Sequence, residues 1–181
     1  MNKSLNLIAS PEEIDSLINN IAGRLIDDYP EPPLFIVLLR GGAPFASKLM
    51  FAITQQSPEY HPELDYMVVS TYGQKRIASQ PVVITDLAPG TDPIGRAVVI
   101  IDDVIDQGVT SDFVRALLIE RGARSVALAV LVDKQVVGRL SAADYTGLVT
   151  NDQWLIGMGL DDAKSGHEHY RWSESIWEVN K

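Results

Sequence analysis

Residues 97–110 read AVVIIDDVIDQGVT, and this string decides the predicted fold. Residues 97–101 are all apolar, which indicates a strand buried on both faces of a parallel sheet. Asp102 and Asp103 follow directly, and in open α/β sheets ligands bind beyond the carboxyl ends of the strands. Adjacent strand residues point to opposite faces, so both carboxylates serve one ligand only if the strand ends there and the chain turns. Paired carboxylates at such a position suit Mg²⁺, which prefers oxygen ligands and shares those of its substrates.

The next part of the string, residues 106–110, is a predicted anion-binding loop. Gly108 permits a tight turn, Thr110 adds a hydroxyl, and a helix is predicted over residues 111–121. Backbone amides at a helix start, together with the helix dipole, favour a phosphate. An Asp-Asp pair after a strand is often only a solvated strand end, so the prediction depends on the whole string.

Composition and charge narrow the class of protein. The 181 residues are 46% hydrophobic and 22% charged, which is typical of a soluble globular protein. The formal net charge is −9 and no basic face is evident, so nucleic acid is a poor candidate partner. The chain has no cysteine, which excludes disulfides and thiolate nucleophiles. The N-terminal residues have only a short apolar patch and soon turn acidic, so we expect no signal peptide. No apolar run is long enough to span a bilayer, so we expect a cytoplasmic protein without a membrane partner.

Strands and helices alternate through the middle of the predicted fold. A helix opens at Ser10-Pro11-Glu12-Glu13 with the pattern of a capping box, and the prolines within residues 29–33 end it. The other predicted elements are strands over residues 34–39, 64–70, 81–85, 97–101 and 125–132 and helices over residues 43–54 and 111–121. Residues 71–80 are polar and aperiodic, so a mobile loop is predicted there. Alternating strands and helices predict a parallel sheet with right-handed crossovers.

The end of the chain has a different pattern. From residue 145 onward it contains short strand-like pieces, Trp154, Trp172 and Trp177, and no clear helix. We predict a single domain over residues 1–181, with a core of about residues 30–145. A small irregular hood is expected from about residues 145–181, joined by residues 1–10.

The string at residues 97–110 resembles the phosphoribosyl-diphosphate signature of type I phosphoribosyltransferases, and the resemblance covers nearly the entire chain. It implies an α/β fold with a mostly parallel, twisted sheet flanked by helices and covered by a small hood. It implies that Asp102 and Asp103 hold the ribose hydroxyls, directly or through water on a Mg²⁺ cofactor. The residues that would cradle the 5′-phosphate are Asp106, Gln107, Gly108, Val109 and Thr110. Gln107 is a departure, because the family usually has threonine or serine there.

Two loops take a role from the same resemblance. Leu39-Arg40-Gly41-Gly42 alone reads as an ordinary turn after a strand, but it is similar to the family's diphosphate loop. There Arg40 and the Gly41 amide would hold the leaving diphosphate, with a cis peptide at Leu39–Arg40. Ser70-Thr71-Tyr72-Gly73 looks like the start of the family's catalytic loop, so Thr71 and Tyr72 would close over the reactants and exclude water.

The resemblance also implies a purine site. Lys134 alone would be a surface lysine, yet it matches the lysine that binds the purine 6-oxo group. Trp154, otherwise a core tryptophan, would stack on the base, and Leu155 would offer backbone groups to its edge. Asp161 would lie near the 2-position or beside the metal.

Two features at the end of the chain fit the resemblance less closely. Arg171 matches a basic residue that helps bind diphosphate, although the stretch over residues 162–170 is longer than usual. His167 and His169 have no evident third ligand, so we interpret them as exposed histidines rather than a zinc site.

Taken together, the resemblance implies transfer of phosphoribose from its 1-diphosphate to a 6-oxopurine such as hypoxanthine or guanine. Asp106 would be the general base, and Arg40 and Tyr72 the other catalytic residues. A homodimer or homotetramer is implied as well. Two alternatives stay open: a non-catalytic regulator on this fold that senses the sugar diphosphate, and a phosphoribosyltransferase for another base such as xanthine.

Overall fold

The computed structural model describes residues 5–72, 78–161 and 168–180, with the backbone alone for residues 71–72, 78–80 and 168–169. In chain order these residues form β1 (Leu5–Ala9), α1 (Pro11–Asp28), β2 (Leu34–Leu39), α2 (Gly42–Gln56), β3 (Glu63–Tyr72), β4 (Ala78–Thr85), β5 (Ala97–Ile105), α3 (Val109–Glu120), β6 (Ser125–Lys134), β7 (Tyr145–Thr150), β8 (Leu155–Ile156) and β9 (Ile176–Val179). A short 3₁₀ helix covers Glu168–Trp172.

Six strands form the large sheet, in the order β4-β3-β2-β5-β6-β7. All neighbours are parallel except β4, which pairs antiparallel with β3 at one edge. The central strand β2 and residues 97–101 of β5 are apolar and buried on both faces, as continuous apolar runs predict. The α/β fold with a mostly parallel sheet is therefore confirmed.

Helices cover both faces of this sheet. On one face α1 and α2 pack on each other and on the strands, burying Ile14, Ile18, Phe45 and Leu49. On the other face α3 covers a second apolar cluster that includes Val114. The predicted capping box at the start of α1 is present, since Ser10 accepts from the Glu13 amide and Glu13 accepts from the Ser10 amide. Among the helices of the described residues, none has the length and apolarity that crossing a membrane requires.

The structure corrects the prediction of a loop over residues 71–80. The backbone of residues 71–72 and 78–80 belongs to β3 and β4, with Tyr72 opposite Ala78. Backbone hydrogen bonds hold an antiparallel pair together whatever the side chains are, so this hairpin needs no apolar periodicity. Residues 73–77 lie outside the described residues.

The strand that carries the acidic pair is longer than predicted. It continues to Ile105 because β6 runs beside it as far as the pair Ile105–Asp133, whereas β2 pairs with it only up to Ile101. The expectation that this strand ends before Asp102 was therefore wrong. Helix α3 begins at Val109, two residues earlier than predicted.

The predicted start of the hood is also wrong. Residues 145–150 form β7, which pairs in parallel with β6 at the edge of the large sheet, and Tyr145 is buried there. A separate three-stranded sheet, in the order β1-β9-β8, forms the hood. The first strand is thus paired with the last, a long-range contact that no local pattern specifies.

One contact in the core has a consequence at high pH. The Tyr60 hydroxyl donates a 2.9 Å hydrogen bond to the Tyr29 carbonyl, and burial raises the pKa of Tyr60 to about 12. Above pH 10 the unfolded chain ionises this tyrosine while the folded chain keeps it neutral. We therefore expect the free energy of unfolding to fall between pH 10 and 12, by at most about 1.4 kcal/mol per pH unit from this group.

Urea unfolding at pH 8 and at pH 10.5 tests this expectation. Tyr60→Phe should lower stability at pH 8 by about 1 kcal/mol and make the alkaline loss shallower. Tyr66→Phe, at a tyrosine that is 46% exposed, is the matched control and should leave the slope unchanged. Equal alkaline slopes for wild type and Tyr60→Phe would contradict the assignment.

Candidate active site

A cleft of about 440 Å³ lies at the carboxyl ends of β2, β5 and β6, against the hood. Most of the residues singled out from the sequence line it: Leu39, Arg40, Gly41, Asp102, Asp103, Asp106, Thr110, Lys134, Trp154, Leu155, Asp161 and Arg171. Residues from five separate segments of the chain therefore converge on one site, at the edge of the sheet where ligands of this fold class bind.

Two acidic side chains lie together in the floor of the cleft. Asp102 accepts a 3.0 Å hydrogen bond from the Asp103 amide, and the two carboxyl groups interact directly. Burial, and then the negative charge of Asp103, raise the pKa of Asp102 well above its usual value. Burial also raises the pKa of Asp103, although its contact with Asp102 and the charge of Arg171 act in the opposite direction. A cation in this part of the cleft would be stabilised by both groups.

The turn after β2 brings the Arg40 side chain to the cleft and the backbone of Gly41 close to the acidic pair. The peptide bond between Leu39 and Arg40 is cis, as the resemblance implied. A side chain at Gly41 would overlap the carboxyl group of Asp103, so only glycine allows the loop to approach this closely. Arg40 is exposed and lines the cleft.

The predicted phosphate loop lines the cleft through Asp106 and Thr110. Gly108 has a left-handed φ of 85° and is the N-cap of α3, a conformation that favours glycine. Thr110 lines the cleft from the first turn of α3, next to Val109. The side chain of Gln107 is exposed, whereas its carbonyl accepts a 2.9 Å hydrogen bond from the Leu140 amide. The loop is thus held in place by the backbone of Gln107, the residue that differs from the family's usual threonine or serine.

Lys134, Trp154 and Leu155 meet at the third side of the cleft. Lys134 is the last residue of β6 and is only 9% exposed, yet it lines the cleft. The Trp154 carbonyl accepts from the Val179 amide, which ties this segment to the hood sheet. Leu155 lies in β8, an edge strand of the hood, so one edge of its backbone has no strand partner among the described residues.

Asp161 and Arg171 form an ion pair between the hood and the cleft. Arg171 is 8% exposed; its Nη2 lies 2.8 Å from Asp161 Oδ2, and its Nη1 donates to the Gly159 carbonyl. Within the described parts of the chain, no three His, Cys, Asp or Glu side chains are grouped so as to hold a metal ion. Asp161 therefore does not join Asp102 and Asp103 in a preformed three-carboxylate site.

The remaining predicted residues either do not line the cleft or have side chains outside the described residues. Thr71 and Tyr72 end β3, and their side chains are outside the described residues, as is His167.

The sequence analysis missed four apolar residues that line the cleft: Leu38, Val69, Val104 and Leu160. Nothing in the sequence separates them from ordinary core positions, because whether an apolar side chain faces a cleft depends on tertiary packing.

Comparisons with known proteins assign the chain and its fold to a family. The model of the phosphoribosyl transferase domain matches residues 8–163. The hypoxanthine-guanine phosphoribosyltransferase of Bacillus subtilis (strain 168) is 34% identical over 169 residues, which cover 91% of this chain and 87% of that protein. The chain therefore belongs to the phosphoribosyltransferase family.

Solved structures point to one branch of that family. A hypoxanthine phosphoribosyltransferase from Staphylococcus aureus superposes with a TM-score of 0.84 at 26% identity, covering 97% of this chain and 91% of that one. The enzyme of that name from Trypanosoma cruzi, a variant complexed with its product IMP, also has a TM-score of 0.84 at 26% identity, over 98% and 92% of the two chains. The bifunctional protein TilS/HprT of Listeria innocua is 36% identical over 169 residues, and the chain spans only 24% of its length.

Proposed function

We propose that this chain is a purine-salvage enzyme that transfers the phosphoribosyl group of 5-phosphoribosyl 1-diphosphate to N9 of hypoxanthine or guanine. The products are IMP or GMP and diphosphate. The observation that carries the proposal is the convergence of a phosphate loop, an acidic pair, Arg40 and the Lys134–Trp154 wall on one cleft. The names of the Bacillus subtilis relative and of the Trypanosoma cruzi complex with IMP support the choice of base.

The sugar phosphate has a defined place in this proposal. The start of α3 and residues 106–110 hold the 5′-phosphate, through backbone amides and the Thr110 hydroxyl. Asp102 and Asp103 hold the ribose hydroxyls. Gln107 serves through its backbone, and its exposed side chain supports that role. The departure from the family's usual residue is then of little consequence for phosphate binding.

The acidic pair fits a bound Mg²⁺. Asp102 and Asp103 offer carboxylate oxygens, and a divalent cation would relieve the repulsion between these neighbours, of which Asp103 is buried and Asp102 half-buried. These two residues would hold the ion, and Asp161, which also lines the cleft but is not grouped with them in advance, would add a further oxygen on binding. When bound, Mg²⁺ would neutralise negative charge on the diphosphate.

The chemical step is a substitution at C1′ of the ribose. N9 of the purine forms a bond to C1′, the bond from C1′ to the diphosphate oxygen breaks, and diphosphate leaves with the electron pair. Asp106 accepts the proton from N7 of the base as general base. Arg40 and the Gly41 amide stabilise the charge that develops on the diphosphate. Thr71 and Tyr72 close over the reactants and exclude water, which would otherwise hydrolyse the activated sugar.

The base is read by the third wall of the cleft. Lys134 donates to the 6-oxo group, Trp154 stacks on the ring, and Leu155 offers the open backbone edge of β8. Asp161 lies near the 2-position. Arg171 contributes by fixing Asp161 and by adding positive charge on the diphosphate side, where its charge offsets part of the rise that burial causes in the pKa of Asp103.

Assays with purified protein, 5-phosphoribosyl 1-diphosphate and Mg²⁺ test the function directly. Hypoxanthine and guanine should each be converted to the nucleotide, and adenine should not, because it carries an amino group where Lys134 needs an acceptor. Conversion of xanthine in preference to hypoxanthine and guanine would favour the alternative of a phosphoribosyltransferase for another base. Binding of the sugar diphosphate without turnover of any base would favour a non-catalytic sensor instead.

Lys134→Met tests how the base is recognised. We expect kcat/KM for hypoxanthine to fall by about 100-fold, because a charge-assisted hydrogen bond to the substrate is lost. KM for the sugar diphosphate should change little, since Lys134 lies on the base side. The matched control is Lys48→Met, at a lysine of α2 whose ion pair with Asp15 lies away from the cleft. An equal rise in KM for both substrates would contradict the role given to Lys134.

The setting proposed for the enzyme follows its family. It acts on small molecules in the cytoplasm, without nucleic acid or a membrane, and assembles as a homodimer or homotetramer. Size-exclusion chromatography with light scattering checks the assembly.

A further inference from the structure

The connection between β6 and β7 joins the base side of the cleft to the phosphate side. It starts directly after Lys134, where the Gln135 amide donates to the Thr150 carbonyl at 2.8 Å, and ends where the Asp144 amide donates to the Leu128 carbonyl at 2.9 Å. Between these ends it crosses to the phosphate loop, because the Leu140 amide donates to the Gln107 carbonyl at 2.9 Å. One segment of backbone thus contacts both halves of the proposed substrate site.

An ion pair between a buried carboxylate and a half-buried arginine braces this connection. Asp133, the neighbour of Lys134 in β6, is 5% exposed. Its Oδ1 accepts from Arg139 Nη1 at 2.5 Å and from Gln135 Nε2 at 3.0 Å. A buried carboxylate needs such partners, so Asp133 in β6 fixes the position of the Arg139 side chain. Arg139 immediately precedes Leu140, and the ion pair therefore fixes the residue that bonds to the phosphate loop.

Packing brings the connection against the glycine of the phosphate loop as well. A Cβ atom at Gly108 would come within 2.6 Å of Ser141 Oγ and 3.2 Å of the Ser141 amide nitrogen. Both Leu140 and Ser141 thus contact the loop over residues 107–108. Displacement of the connection would move that loop relative to Lys134.

We propose that Arg139, acting through Asp133, is a positioning residue that sets the separation between Lys134 and the phosphate loop. The inference rests on the proposed function, from which Lys134 and the loop take their roles. A ligand that carries both a 6-oxopurine and a 5′-phosphate depends on this separation. A ligand with only one of these groups does not.

Calorimetric titration of wild type and Arg139→Gln with IMP, and separately with ribose 5-phosphate, tests the inference. We expect the Kd of IMP to rise about tenfold and that of ribose 5-phosphate to change by less than about twofold, since only IMP spans both groups. Arg121→Gln is the matched control. It removes an ion pair with Asp86, at 2.6 Å for both nitrogens, that lies away from the cleft, and it should leave both affinities unchanged.

Two further variants guard against a general loss of structure. Asp133→Asn combined with Arg139→Gln leaves no unpaired buried charge, so it should fold and still show the selective loss of IMP affinity. Arg139→Lys keeps a cation beside Asp133 and should recover most of that affinity. Wild type that fails to bind IMP would overturn the proposed function and this inference with it. Unchanged IMP affinity in Arg139→Gln, or an equal loss for both ligands, would overturn the inference alone.

Discussion

Asp106→Asn should lower kcat by about 10²–10⁴-fold while KM for both substrates stays within a few-fold, because a general base acts mainly in the transition state. Asp106 is the first residue after β5, is exposed, and lines the cleft beside the phosphate loop. Asparagine keeps the size and the hydrogen-bonding oxygen but takes up no proton. The loss therefore reports proton transfer rather than a change in binding.

Steady-state and single-turnover kinetics measure the two parts of this expectation separately. Asp27→Asn makes the same chemical change on an exposed residue near the end of α1 and should leave kcat unaltered. A kcat for Asp106→Asn within a few-fold of wild type would rule out the general-base role. A large rise in KM with kcat preserved would instead assign Asp106 to ribose or phosphate binding.

Gly159→Ala should damage stability and activity together. Gly159 has a left-handed φ of 102°, and an added Cβ would overlap the Gly41 carbonyl and lie 3.2 Å from the Asp103 Cβ. The turn of the hood and the diphosphate loop are therefore in direct backbone contact. We expect the free energy of unfolding to fall by about 3–5 kcal/mol from backbone strain plus the clash. Displacement of the Gly41 loop should lower kcat/KM by about 100-fold.

Gly90→Ala separates these two causes. Gly90 has a φ of 106°, and an added Cβ there meets no atom within 4 Å. Gly90→Ala should lower the free energy of unfolding by only about 1–2 kcal/mol, from backbone strain alone, and leave activity intact. Urea unfolding and steady-state kinetics on both variants provide the comparison. Similar losses in the two proteins would show that the contact between Gly159 and Gly41 does not matter.

The sequence predicted the parts of this protein that depend on local chemistry. Continuous apolar runs predicted the buried strands β2, β5 and β6, and the capping pattern at Ser10 predicted the start of α1. The order of residues at 97–110 was sufficient to place an acidic pair and the start of a helix at one edge of the sheet. These features lie within a few residues of one another, so neighbouring side chains and backbone specify them.

The errors in prediction fall where distant segments meet. The end of β5 depends on how far β6 runs beside it, and the membership of β7 depends on an open edge of the large sheet. The polar ends of β3 and β4, residues 71–72 and 78–80, are held by backbone pairing, which leaves no mark in the side-chain pattern. Resemblance to a family supplied Lys134, Trp154 and Arg171, because nothing in the local sequence separates them from ordinary surface or core residues.

By itself, the sequence predicted a strand, an acidic pair and the start of a helix within residues 97–110, since those properties are set over fourteen consecutive positions. Only the tertiary structure decided that Arg40, Lys134, Trp154 and Asp161 face the same cleft. It also decided that Arg171 holds Asp161 and that Arg139 braces Asp133. Such contacts depend on the packing of the hood and loops against the sheet, and that packing is specified by the whole chain at once.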